Sequence, residues 1–228
     1  MSEPADLIVA RIQMLVDVEA LASQNELFAT LLIRNGPPPL WRREASFETL
    51  VRFILEQQVS LASANAAFKR LNQRIGGVVP ERVLASSDAD MKSDGFSRQK
   101  TGYVRGIAEL MVEGTFDLSE LPSEPEAARQ ELLEIKGIGP WTAACFSLFV
   151  SGDRDAWPTG DRALYVSMAK NLEMDDVPDR EVGDAIASAW SPCRATAARM
   201  LWHDYLGGRS HVPNPDAGFI ASTGMVLG

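Results

Sequence analysis

Apolar residues recur along this chain at helical spacing almost from end to end. Phe47, Leu50, Val51, Ile54 and Leu55 stand at i, i+3, i+4, i+7 and i+8, one stripe on one helix. Ser46 precedes that stripe as an N-cap. Ala64, Phe68, Leu71 and Ile75 mark a second helix, which Gly76-Gly77 ends. The same pattern predicts helices over 3–21, 26–33, 103–113, 126–135, 140–150, 162–172 and 180–189, and a last one near 195–206. Breaks are predicted at Asn35–Pro39, Val79-Pro80, Ser93–Gly95, Leu121-Pro122 and Trp157–Gly160. No period-two alternation long enough for paired strands occurs, and no repeat at solenoid spacing. The expected fold is all-α. Residues 210–228 mix Pro, Gly, Asn and Ser without an apolar period, and are expected to be a C-terminal tail or a strap over the surface.

Composition narrows the class. The chain has 228 residues, 46% apolar and 23% charged, enough to fill a core and too apolar for a disordered chain. The length suits one domain or two packed lobes. A net charge of −9 argues against a general nucleic-acid binder. The charge is unevenly placed, however. Residues 41–105 carry 11 Lys/Arg against 7 Asp/Glu, whereas the remainder carries 11 against 24. A polyanion could be drawn to one face while the rest keeps the molecule soluble. No apolar run nears the roughly 20 residues that span a bilayer. The stretch Met1–Leu15, broken by Glu3, Asp6 and Arg11, lacks a secretory core. Cys145 and Cys193 are too few for a disulfide framework or a four-thiolate cluster, and His203 and His211 lack partners at metal-ligand spacing. A reduced, cytoplasmic, soluble protein without membrane association is expected.

The most informative stretch is Leu132-Leu133-Glu134-Ile135-Lys136-Gly137-Ile138-Gly139-Pro140-Trp141-Thr142-Ala143. An apolar helix ends, two glycines one residue apart make a turn, and a second helix starts with Pro140 in its first turn. Glycines allow a positive φ and leave backbone N–H groups uncovered. Those amides, with the positive end of the next helix, suit one phosphate oxygen. Close helix–helix packing is the alternative use of the same glycines.

The block LLEIKGIGPWTAACFSL followed by WPTGDRAL resembles the helix-hairpin-helix and aspartate loop of base-excision DNA glycosylases, and within them 3-methyladenine DNA glycosylase II. The resemblance extends to LVRFILEQQVSLASANAAFKRL, GFSRQKTGYVRGIAEL and SPCRATAARMLWHDYLG, and so covers roughly 27–208. It implies a glycosylase domain over 1–209 made of two helical lobes, one about 41–150 and the other about 1–40 plus 151–209, with a DNA-binding cleft between them. It also implies a monomer acting on double-stranded DNA with a damaged base. No cofactor is expected, apart from a Na or K ion held by the hairpin carbonyls of Leu133, Ile135 and Ile138. Gly137, Ile138, Gly139 and Thr142 are the expected phosphate contacts.

Asp161, read from its neighbours alone, is an N-cap after Gly160. The resemblance makes it the catalytic carboxylate. Breaking an N-glycosidic bond builds positive charge on the sugar, which one ionised carboxylate can stabilise. A base alkylated at N3 or N7 is already cationic and leaves without a strong general acid. Glycosylases of this superfamily that also nick the strand carry a Schiff-base lysine two residues after the second hairpin glycine. Trp141 fills that slot here, and Lys136 lies before the turn. A hydrolase without lyase activity is therefore expected. Gln58 matches the plug of the family's wedge loop, between Gln57 and Val59. Trp141 and Trp202 match aromatic pocket positions, and Cys145 stands where several relatives have tyrosine, which puts the accepted bases in doubt. Arg98 and Lys100 are candidate phosphate or surface contacts. The alternatives are a glycosylase with shifted base choice (hypoxanthine, ethenoadenine or uracil) and a non-catalytic module that binds damaged DNA.

Overall fold

The computed structural model describes residues 4–207, which form twelve α-helices and no strand. The segment 210–228 and His211 lie outside the described residues. Among those described, 43–151 form one compact unit, and 4–42 with 152–207 form another.

The unit 43–151 is built around α3 (Phe47–Glu56), which packs against α4 (Leu61–Ile75), α7 (Arg98–Val112) and α9 (Pro140–Phe146). The stripe read from the sequence is its buried face, and burial goes further than one stripe. Eight of its ten residues are buried, with Leu50, Phe53 and Ile54 fully enclosed. Even Arg52 lies inside, its guanidinium 3.4 Å from the centre of the Phe68 ring. Ser46 caps the helix by accepting from Thr49 N, and Gly76 ends α4 in the left-handed region at φ 69°.

Two short helices lie where the sequence predicts only breaks. Pro80 starts α5 (Pro80–Leu84) at its first position, where the missing N–H costs nothing. Ser87 and Asp90 form a reciprocal capping box that opens α6 (Asp88–Asp94). Ser97 caps α7, which begins at Arg98 rather than near 103. After α8 (Pro125–Leu133), the predicted helix over 140–150 is α9 followed by a wider π turn, Ser147–Ser151.

In the second unit α1 (Ala5–Gln24) and α2 (Glu26–Asn35) pack on α12 (Arg194–Tyr205), as does α10 (Arg162–Asn171). Phe28, Trp157 and Trp190 meet edge to face, at ring-centre distances of 5.0 and 5.7 Å from Trp190. Asp204 of α12 joins three helices. It accepts from Asn35 and Arg34 of α2, and from Ser167, Lys170 and Asn171 of α10. Burial alone would raise its carboxyl, but the hydrogen bonds from Asn171 and Asn35 and the charges of Arg34 and Lys170 prevail and hold it at about 2.

Candidate functional site

Asp161 sits where a tight turn enters α10. Thr159 N donates to Trp157 O, Asp161 N donates to Pro158 O, and Gly160 takes a φ of 77° that a side chain would resist. Its carboxylate oxygen Oδ1 accepts from Leu164 N at 3.0 Å and from the Trp202 indole Nε1 at 3.2 Å. The N-cap expected from the neighbouring residues is therefore real, and the cap fixes where the carboxylate points. Asp161 is half-buried, as is Trp202, so the pair is both anchored and reachable.

The turn itself is held from below. Asp184, on α11 (Arg180–Ser188), accepts from Trp157 Nε1 at 2.8 Å, Tyr165 OH at 2.6 Å and Thr159 Oγ1. The Tyr165 hydroxyl in turn accepts from Gly160 N at 2.7 Å. Burial and the Asp184 carboxylate together push the Tyr165 phenol up to about 12, so it stays a donor. Sequence reasoning missed Asp184 altogether.

In the unit 43–151 the hairpin between α8 and α9 is closed by Ile138 N donating to Ile135 O at 3.0 Å. Its two glycines do different work. Gly137 has φ 100°, and a Cβ there would fall 2.4 Å from the Tyr103 ring. Gly139 has φ −92° and ψ 178°, ordinary extended backbone, with nothing within 4 Å of an added Cβ. The fold demands glycine at 137 and not at 139.

The structure engages several of the candidate site residues within the protein. Gln57, in the candidate wedge loop, turns its side chain inward: its amide Nε2 donates to Gly137 O and to Thr142 Oγ1, both at 2.9 Å. The Thr142 side chain is interior, 1% exposed and engaged by Gln57, which leaves only its backbone N–H, in the first turn of α9, for a phosphate. The Ile138 amide is used inside the turn, and its side chain is in the core. Lys100 is also drawn inward. Its ammonium donates to Leu55 O at 2.7 Å and Gln57 O at 2.8 Å, closing the carbonyl end of α3, and burial lowers its pKa. Arg98 is exposed.

Gln58 and Val59 remain outward, both exposed, and Gln58 has a φ of 57°. A left-handed glutamine costs about 1 kcal/mol relative to an ordinary conformation, a strain the flanking caps must hold. Trp141 is half-buried in the first turn of α9, and Cys145, one turn on, is 1% exposed in the core. Among the described residues no cluster of His, Cys, Asp and Glu could hold a metal. In the hairpin, Ile135 O keeps a second lone pair after accepting from Ile138, so a backbone oxygen there could still face a hard cation. No described helix is long and apolar enough to cross a membrane.

The chain resembles known proteins over most of its length. It is 29% identical over 173 residues to the Bacillus subtilis protein YfjP, which covers 72% of this chain and 60% of that protein. It is 24% identical over 210 residues to DNA-3-methyladenine glycosylase 1 of Schizosaccharomyces pombe, 88% of this chain and 90% of that one. The solved Schizosaccharomyces pombe enzyme in complex with abasic DNA superposes with a TM-score of 0.71 at 24% identity, over 82% and 95% of the two chains. A DNA-3-methyladenine glycosidase from Bacillus halodurans superposes at 0.64 with 30% identity, over 83% and 88%. Residues 51–200 match the family described as HhH-GPD superfamily base excision DNA repair protein, a span that holds the hairpin, the loop at Gln57–Val59 and Asp161. This chain belongs to the HhH-GPD superfamily of base excision DNA repair proteins.

Proposed function

We propose that this protein is a monofunctional DNA glycosylase that hydrolyses the N-glycosidic bond of alkylated bases, 3-methyladenine and 7-methylguanine in type, and leaves an abasic site in duplex DNA. The reading is carried by the double hold on the Asp161 carboxylate, by the start of α10 and by the Trp202 indole; Asp161 and the start of α10 lie inside the family-matched span. The names of the Schizosaccharomyces pombe and Bacillus halodurans relatives support the substrate class.

In this reading the damaged nucleotide is turned out of the duplex, which costs a few kcal/mol of stacking. Gln58 fills the gap and hydrogen-bonds the orphaned base, while Val59 adds an apolar contact. Trp202 stacks on the extruded base; a cationic base on its face gains roughly 0.5–2 kcal/mol over a neutral one. As the C1′–N bond breaks, its electron pair leaves with the base, which departs neutral. Ionised Asp161 stabilises the charge on the sugar and takes a proton from the water whose oxygen bonds C1′. The Gly137 and Gly139 amides hold a backbone phosphate without sequence preference. A Na or K ion on the carbonyls of Leu133, Ile135 and Ile138 would add positive charge beside them. The enzyme acts as a monomer in the compartment that holds the DNA.

The test is release of free base from duplexes carrying 3-methyladenine, 7-methylguanine, 1-methyladenine, ethenoadenine, hypoxanthine or uracil, by wild type and Asp161→Asn. Wild type is expected to release the first two, and the variant to keep lesion binding while losing at least about 100-fold in rate. Borohydride is expected to trap no adduct on abasic DNA, because Trp141 stands in the lysine slot. Binding of lesion DNA by both proteins, with base release by neither, makes this a damage-binding module instead.

A further inference from the structure

Within the turn that precedes Asp161, Trp157, Thr159 and Gly160 are each tied to one side chain, directly or through one intermediary. Trp157 and Thr159 donate to Asp184, and Gly160 donates to the hydroxyl of Tyr165, which itself donates to Asp184. The three described donors to this carboxylate are neutral, and hydrogen bonds to an ionised acceptor are about twice as strong as neutral ones. The approach is close by construction. A Cβ on Gly183 would fall 2.6 Å from the Tyr165 ring, so α11 can bring Asp184 to the turn only with glycine beside it. A helix cap does not need this much support. A carboxylate that must meet a developing charge does, since electrostatic stabilisation depends on groups already in place.

We propose that Asp184 is a positioning residue for Asp161: it locks the turn Trp157–Gly160 and so holds the Asp161 carboxylate at the Trp202 indole. This rests on the reading of Asp161 as the group that faces the sugar. Asp184 itself takes no proton in the reaction.

Three variants test the assignment. Asp184→Leu keeps the γ-branched shape, with more bulk, and removes every acceptor. Asp184→Asn keeps an oxygen for Trp157 and Tyr165, and its amide can donate to the Thr159 hydroxyl. Tyr165→Phe removes only the link from Asp184 to Gly160. Single-turnover base release from 3-methyladenine duplex, duplex affinity, and the indole proton–nitrogen resonance of Trp202 (assigned with Trp202→Phe) are measured for each. Asp184→Leu is expected to slow release about 100-fold, the cost of an ångström of misplacement, with affinity within about twofold. It also shifts the Trp202 resonance, whose described hydrogen bond is to Asp161 and not to position 184. Asp184→Asn recovers release to within about fivefold of wild type, and Tyr165→Phe gives an intermediate rate and a smaller shift. An unmoved Trp202 resonance in folded Asp184→Leu or in Tyr165→Phe overturns the proposal. Equal losses in Asp184→Asn and Asp184→Leu also overturn it, by making the charge of Asp184 the working feature. The resonance is read without DNA, so it decides the matter even if wild type releases no base, a result that would overturn the glycosylase reading instead.

Discussion

The turn before Asp161 and the hairpin at Gly137–Gly139 both lead a chain into the start of a helix, yet they are held by opposite means. The first is gripped by side chains that converge on Asp184. The second is fixed by backbone, with one glycine at positive φ against the Tyr103 ring and a side-chain strut from Gln57. The difference fits what each would present under the proposed function. A carboxylate is aimed by restraining the residues around it, whereas an amide is exposed by leaving its own residue bare. The two should therefore fail differently.

The largest expected effect is at Gly137. Gly137→Val places a branched side chain at φ 100° and into Tyr103, and is expected to cost about 3 kcal/mol in urea unfolding. A loss below about 1 kcal/mol would break the contrast, because the hairpin would then not be built around its glycine. Next comes acid, acting on the unit that carries the carboxylates. Asp204 sits at about 2 in the folded protein, below the roughly 3.9 of an unfolded aspartate. Its contribution is therefore complete above about pH 4 and is lost as pH falls from there towards 2, about 2 kcal/mol in all. Unfolding free energies of wild type and Asp204→Asn should converge across that window; parallel curves would remove Asp204 from the account. The smallest effect sharpens the comparison most. Gly139→Ala should leave stability within about 0.5 kcal/mol, since backbone and space are ordinary there. It should nonetheless weaken every duplex alike, about tenfold. A loss confined to one sequence, or no loss, would take the phosphate away from that amide.

Local signals were legible in the sequence and distant ones were not. The α3 stripe, the Ser46 cap and the Gly76 stop all follow from neighbours within a turn or two, and the structure has them. So does the Asp161 cap. The helices α5 and α6 were open to reading and passed over: Pro80 reads as a breaker until its use at a first helical position is weighed, and Ser87 with Asp90 is a capping box in plain sequence. Ser97 likewise announces α7 ahead of its first apolar residue. Gln57 and Asp184 are another matter. Gln57 reaches residues 80 and 85 positions away, and Asp184 reaches back 19 to 27 positions, onto a turn and a tyrosine that no periodicity links to it. Each looks like one more polar residue near a helix end. The inward turn of the Gln57, Thr142 and Lys100 side chains was illegible for the same reason, since each hydrogen bond that holds them crosses between elements.

The strut from Gln57 has a mechanical consequence. Residue 57 is covalently joined to the strained Gln58, and its amide is bolted to the carbonyl of Gly137. If Gln58 enters a base stack and the hairpin amides hold a phosphate, as the proposed function has it, the two would be ends of one short lever. A displacement taken up at one end would then be delivered at the other, and testing a base pair for weakness would need no separate moving part.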